Sequence, residues 1–158
     1  MTRIHKFKRH EVLRGFTLVE LVIVIAIIGL VVAISVSSYL AARVQGNEGA
    51  AKGALRSVQS ACVSYRSDQG AYPTDLATMG ASYLGGGLEG GEKSGYLFDL
   101  RSGNQGESFT CTAVPKSATF TGVRSYCTDT YNVIYVYNAS NIAADGAACP
   151  PGGTALTG

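Results

Sequence analysis

From Leu21 to Ala42 the chain carries no charged residue, and this run constrains its fold more than any other feature. At about 1.5 Å per helical residue it reaches roughly 33 Å, enough to cross the hydrocarbon of a bilayer. Glu20 stands at the head of the run. A charge placed deep in such a helix costs on the order of 2.5–3.5 kcal/mol, which marks it as functional and calls for a partner. The nearest cations are Arg14 behind it and Arg43 far ahead, neither of them one helical turn away. The expectation is that the partner comes from another molecule.

The flanks give the run a direction. Arg3, Lys6, Lys8, Arg9 and Arg14 precede it against the single acid Glu11. Such a basic head holds the N-terminus on the cytoplasmic side. A secretory signal is cut after its apolar stretch at a small-x-small site. Ala33 and Ser35 have that spacing, but the helical pattern continues past them.

The segment Arg14, Gly15, Phe16, Thr17, Leu18, Val19, Glu20 instead resembles the prepilin motif of type IV pilins and type II secretion pseudopilins. The resemblance implies that a membrane peptidase and methyltransferase cuts between Gly15 and Phe16. The leader, residues 1–15, leaves, and the new amine on Phe16 is methylated. It also implies that Phe16 and Glu20 act in assembly, the amine of one subunit meeting the Glu20 of another. In a low-dielectric bundle such pairing fixes register, because a mismatch leaves two charges unpaired. The plainer alternative, a membrane anchor with a stray glutamate, has to absorb the cost of that charge without return.

Removing the leader changes the charge balance. It takes five of the thirteen basic residues and one of the eleven acids, leaving eight against ten, formally −2. The basic character thus belongs to the targeting segment, and broad phosphate binding is disfavoured. Both histidines, His5 and His10, leave with the leader. With them go the commonest general base and metal ligand. The sequence points to no catalytic residue, no cofactor and no metal site.

The remaining chain reads as a stalk and a head. One helix is expected from Phe16 to about Asp68, with residues 16–42 as the transmembrane and polymerisation segment and 43–69 as an amphipathic continuation. Toward the second half of the helix, Leu40, Val44, Ala51, Leu55, Val58, Cys62 and Tyr65 recur on one face, and Glu48 and Lys52 stand four apart off that face. Gly29, Gly46, Gly49 and Gly53 weaken the helix or let neighbours approach. Many pilins carry a proline where this chain has Ser37.

Gly70 and Pro73 end the helix. A helical turn capped by Thr74 or Asp75 and a glycine-rich loop from Ser82 to Gly95 lie within residues 70–107. Strands are expected at Tyr96–Leu100, Ser108–Val114, Val123–Asp129 and Tyr131–Asn138, short-connected and hence antiparallel, with the sheet mostly in 108–140. The head from Lys93 to Ile134 resembles that of bacterial major pilins. The expected fold class is α+β: a long N-terminal helix packed by its C-terminal half on a small antiparallel sheet. Residues 141–158 carry no period and read as an irregular wrap or a mobile end.

Four cysteines, Cys62, Cys111, Cys127 and Cys149, fit an exported head with disulfides. Folding Phe109–Val114 against Arg124–Asp129 about a turn near Thr119 sets Cys111 opposite Cys127. The first expectation is therefore Cys111–Cys127 with Cys62–Cys149. The rival set is Cys62–Cys111 with Cys127–Cys149, whose C-terminal staple is of the kind many pilins have. Buried free thiols are the third possibility.

Asp99, Ser102, Asn104 and Glu107 are oxygen ligands in one loop, without the spacing of a helix-loop-helix calcium site. Arg101 and Arg124 form the one local patch where nucleic acid is a candidate partner. Asn138 opens a glycosylation triplet.

The expected function is a structural subunit of a type IV pilus-like surface filament, supporting adhesion, motility or uptake. The precursor sits in membrane lipid at the inner membrane, and its other partners are copies of itself, the processing peptidase and an assembly platform. The alternative is a pseudopilin of a type II secretion piston.

Overall fold

The computed structural model describes residues 15–85, 87–139 and 141–156. The leader before Gly15, the serine of the Asn138 triplet and the last two residues lie outside the described residues. The chain divides into two compact units, residues 1–38 and 39–158.

Helix α1 runs Leu18–Gln69. Gly70 ends it: at φ +81° this residue takes the left-handed conformation and donates its N–H to the Arg66 carbonyl at 2.8 Å. In the first unit its large apolar side chains, Leu18 to Val36, are exposed. In the second unit the face carrying Ala51, Ala54, Leu55, Val58, Ala61 and Cys62 is buried. This matches the expected stripe from Ala51 to Cys62.

A short helix α2, Leu76–Tyr83, starts at Asp75, whose carboxylate accepts the Thr78 N–H at 2.7 Å. Six antiparallel strands follow in simple chain order: β1 (Glu92–Lys93), β2 (Tyr96–Gly103), β3 (Ser108–Pro115), β4 (Ser125–Asp129), β5 (Ile134–Tyr137) and β6 (Thr154–Ala155). The fold class is α+β as expected, a long helix and a small antiparallel sheet. Leu55, Val58 and Cys62 share one core with Tyr96, Phe98, Leu100, Phe109, Cys111 and Tyr126.

The strands differ in how they are covered. β2 alternates buried and exposed residues, whereas β4 is buried along its whole length. One face of the central strands meets the core and the C-terminal tail crosses the other. The Ser108 hydroxyl donates to the Gly146 carbonyl at 2.9 Å, and the Tyr137 hydroxyl to the Pro150 carbonyl at 2.5 Å. Gly146, at φ +85°, leaves no room for a Cβ against the Ser102 carbonyl. Near its end the tail forms β6, paired antiparallel with β5.

The disulfide expectation is corrected. Cys127 bonds Cys149, with Cα atoms 5.8 Å apart, and Cys62 and Cys111 are buried free thiols. Neither Cys111–Cys127 nor Cys62–Cys149 forms. The cause is a register one residue away from the expected one: Cys111 faces Thr128, and Cys127 faces Thr112. Side chains alternate along a strand, so that single step sends the two cysteines to opposite faces. Cys111 enters the core beside Cys62, and Cys127 meets the tail. Burial pushes the Cys62 thiol up to about 12 and the Cys111 thiol well above its ordinary value, which keeps both unreactive.

Candidate assembly site

At the start of α1, Thr17 and Glu20 form a reciprocal cap. The Glu20 carboxylate accepts the Thr17 N–H at 2.9 Å and the Thr17 hydroxyl at 2.7 Å, and the Glu20 N–H reaches the Thr17 hydroxyl at 3.2 Å. This is a capping box, Thr-x-x-Glu, which satisfies backbone donors that the first helical turn leaves unpaired. The expectation that Glu20 lacks a partner within its own chain is thus revised. Thr17, three residues back, was legible as a cap from spacing alone. The cap engages one carboxylate oxygen, Oε2. Phe16 is 85% exposed, and a Cβ added at Gly15 would meet nothing within 4 Å. Packing among the described residues therefore does not require glycine at position 15.

A second constellation lies wholly in the head unit, around Glu48. The sequence places this residue off the apolar stripe, four residues before Lys52, but Glu48 is 3% exposed. Its Oε1 accepts the N–H groups of Val123 and Arg124 at 3.2 and 3.3 Å. Its Oε2 accepts the Arg124 guanidinium at 2.7 Å and the Tyr126 hydroxyl at 3.1 Å. Burial pushes the Glu48 carboxyl up, but the bonds and charge from Arg124 and the Val123 N–H outweigh it, and the group sits below its ordinary value. Lys52 instead lies 6.0 Å over the Tyr126 ring. No local sequence signal marks Glu48, because its partners lie 75 to 78 residues away.

These bonds fix the turn between β3 and β4 on α1. Asn47 donates to the Thr121 carbonyl at 2.9 Å, and Tyr96 donates to the Arg124 carbonyl at 2.9 Å. Gly122 lies so close to the Tyr96 ring and hydroxyl that a Cβ there would overlap them. Phe120 and Val123 on this turn remain exposed.

The other sequence candidates are dispersed. Asp99 pairs with Arg101 at 3.2 Å and Glu107 with Arg66 at 2.6 Å. Among the described residues no group of acids, cysteines or histidines is placed to hold a metal ion. Arg101 and Arg124 are each engaged by a carboxylate.

The geometry of this chain coincides with what its sequence shares with known proteins. Residues 14–36 match the prokaryotic N-terminal methylation motif family. The chain is 33% identical over 91 residues to the type IV major pilin protein PilA of Myxococcus xanthus (strain DK1622), which covers 58% of this chain and 39% of that protein. It is 43% identical over 77 residues to the fimbrial protein EcpC of Eikenella corrodens, covering 44% of this chain and 46% of that protein. The chain thus spans less than half the length of either relative. Neither relative is named as an enzyme. In the motif and in these relatives the chain is similar to type IV pilins. Its own structure carries a capped Glu20, a β3–β4 turn anchored through Glu48 and a Cys127–Cys149 staple.

Proposed function

We propose that the chain is the structural subunit of a type IV pilus-like filament. It enters the inner membrane as a precursor, is cut after Gly15 by a prepilin peptidase, methylated at Phe16, and passed by an assembly platform into a surface fibre. The observation that carries this reading is the exposed apolar surface of α1 from Leu18 to Val36. A surface of that size needs lipid before assembly and copies of itself afterwards. Glycine at position 15, unexplained by packing, suits a protease subsite.

The capped Glu20 refines the role of the charge. One carboxylate oxygen is engaged by Thr17, and the other is left to receive the Phe16 amine of an incoming subunit. The cap pre-orients the receiving carboxylate, so less side-chain freedom is lost on pairing. Such a fibre would serve adhesion, motility or uptake.

Mass spectrometry of sheared surface filaments tests the reading. The expected subunit begins at an N-methylated Phe16. A different mature terminus would overturn it. Absence of long filaments, with a secretion defect on deletion, would assign the chain to a type II secretion pseudopilus.

A further inference from the structure

The head unit carries an apolar groove of about 660 Å³ between α1 and the β3–β4 turn, lined by Leu40, Val44, Phe120 and Val123 with Glu48 and Arg124 at its base. Phe120 and Val123 are 61% and 59% exposed. Apolar side chains held out on a turn this firmly anchored are not a by-product of mobility. Glu48, Asn47 and Tyr96 together fix the backbone from Thr121 to Arg124, directly after Phe120. A contiguous apolar surface of this kind marks a docking site.

We propose that this groove receives the uncharged α1 segment, residues 21–36, of a second copy of the chain. Charge selects that occupant. The groove's single cation, Arg124, is already bound to the groove's single anion, Glu48, at 2.7 Å. The lining is therefore electrically neutral and offers no free cation to an anionic lipid headgroup. It suits a partner without charge, and the run from Leu21 to Ala42 is such a surface. Every copy thus carries both halves of the contact, a groove and an apolar helix. The two are different surfaces, so their pairing is heterologous and propagates into an open helical array rather than closing as a dimer. Leu40 and Val44 lie on α1 itself. The inference rests on the filament reading and assigns to Phe120 and Val123 a part in it.

The test uses the full chain in cells that assemble it. A photoreactive phenylalanine analogue is incorporated at position 120 and sheared filaments are irradiated. The expected product is a dimer-sized adduct whose peptide map joins residue 120 to the 16–38 segment of another copy. A lipid adduct alone, a dimer joining two heads, or monomer only would overturn the proposal. In parallel, Phe120→Ser with Val123→Ser should leave processing and the melting of the head unchanged while filaments are lost. Normal filaments from that double variant also overturn it. If the unmodified chain forms no filaments, the filament reading itself falls, and this inference with it. If it forms filaments that lack the adduct, only this inference falls.

Discussion

Between Leu18 and Val36, α1 turns its large apolar side chains to the outside; between Glu48 and Cys62 the same helix buries alanine, leucine, valine and cysteine against a sheet. The two halves also treat a carboxylate differently. Glu20 is held by one residue of its own turn, Thr17. Glu48 is held by two backbone N–H groups, a guanidinium and a phenol from elsewhere in the head. A carboxylate satisfied on every side serves the fold of its own chain. A carboxylate satisfied on one side keeps acceptor capacity for another molecule. The comparison predicts that mutations at the two sites separate assembly from stability.

The largest effect is expected at Glu20. Glu20→Ala should insert and be processed, since losing the charge makes the segment more apolar. Processed subunits should accumulate in the inner membrane with few or no filaments, as counted by electron microscopy of sheared material. Glu20→Asp, which keeps the charge with a shorter reach, should be intermediate. Normal filament numbers from Glu20→Ala would show that apolar packing alone drives assembly, and the distinction between the two carboxylates would lose its meaning.

Next is the covalent staple. Cys127→Ser with Cys149→Ser opens a loop of sequence separation 22 that ties the tail over β4 and β5. Loss of about 3 kcal/mol is expected in denaturant unfolding of the exported protein. Non-reducing peptide mapping should recover Cys127 with Cys149, while Cys62 and Cys111 alkylate only after unfolding. A reduced head as stable as the oxidised one would mean the hydrogen bonds from Ser108 and Tyr137 hold the tail unaided.

Much of this was readable in the sequence, and the failures share a cause. Helix periodicity located the buried face from Ala51 to Cys62, because it is a local property. Strand composition located β2 to β5 within a few residues for the same reason. The disulfide required the register between β3 and β4, and a turn centred half a residue differently put Cys111 and Cys127 on opposite faces. Register in a loop of this length is set by what the turn meets. Here that is Gly122 on Tyr96 and Glu48 under Val123 and Arg124, contacts more than 20 residues apart in the chain. Glu48 misled for a related reason. Its helical spacing to Lys52 was the favourable one, but burial against β4 brought a stronger partner. The Thr17 cap was the opposite case, a local signal hidden behind the more prominent charge.

Glu48 offers a smaller, pH-dependent effect. Its carboxyl in the folded head sits below the ordinary 4.5. The stabilisation is therefore complete above the unfolded value and is lost as the pH falls through the folded one. Urea unfolding of the head should show a midpoint that drops below about pH 4.5. Glu48→Gln should be less stable at neutral pH and should flatten that acid limb. Glutamine keeps a carbonyl oxygen for the Val123 and Arg124 N–H groups but loses the charge and the second acceptor that hold the Arg124 guanidinium and the Tyr126 hydroxyl, and about 1–3 kcal/mol is expected. Because Arg124 is half exposed, water replaces part of what it loses. An unchanged acid limb in Glu48→Gln would place the pH dependence elsewhere in the head.

The smallest effect concerns the glycines of the second half of α1. Gly46, Gly49 and Gly53 are exposed, and a Cβ on any of them would meet nothing within 4 Å. Each lies inside a helix, where glycine is worse than alanine by up to about 1 kcal/mol. Replacing each by Ala should therefore stabilise the isolated subunit slightly, seen as a small rise in melting temperature. If the second half of α1 serves only its own head, filament yield should rise or stay level. If it also touches neighbouring helices, the added methyl groups should reduce yield while the subunit becomes more stable. A loss of yield together with a gain of stability would move the boundary between the two halves of α1 from the neighbourhood of Ser38 toward Gly53, because a face open in one copy would then be closed by another.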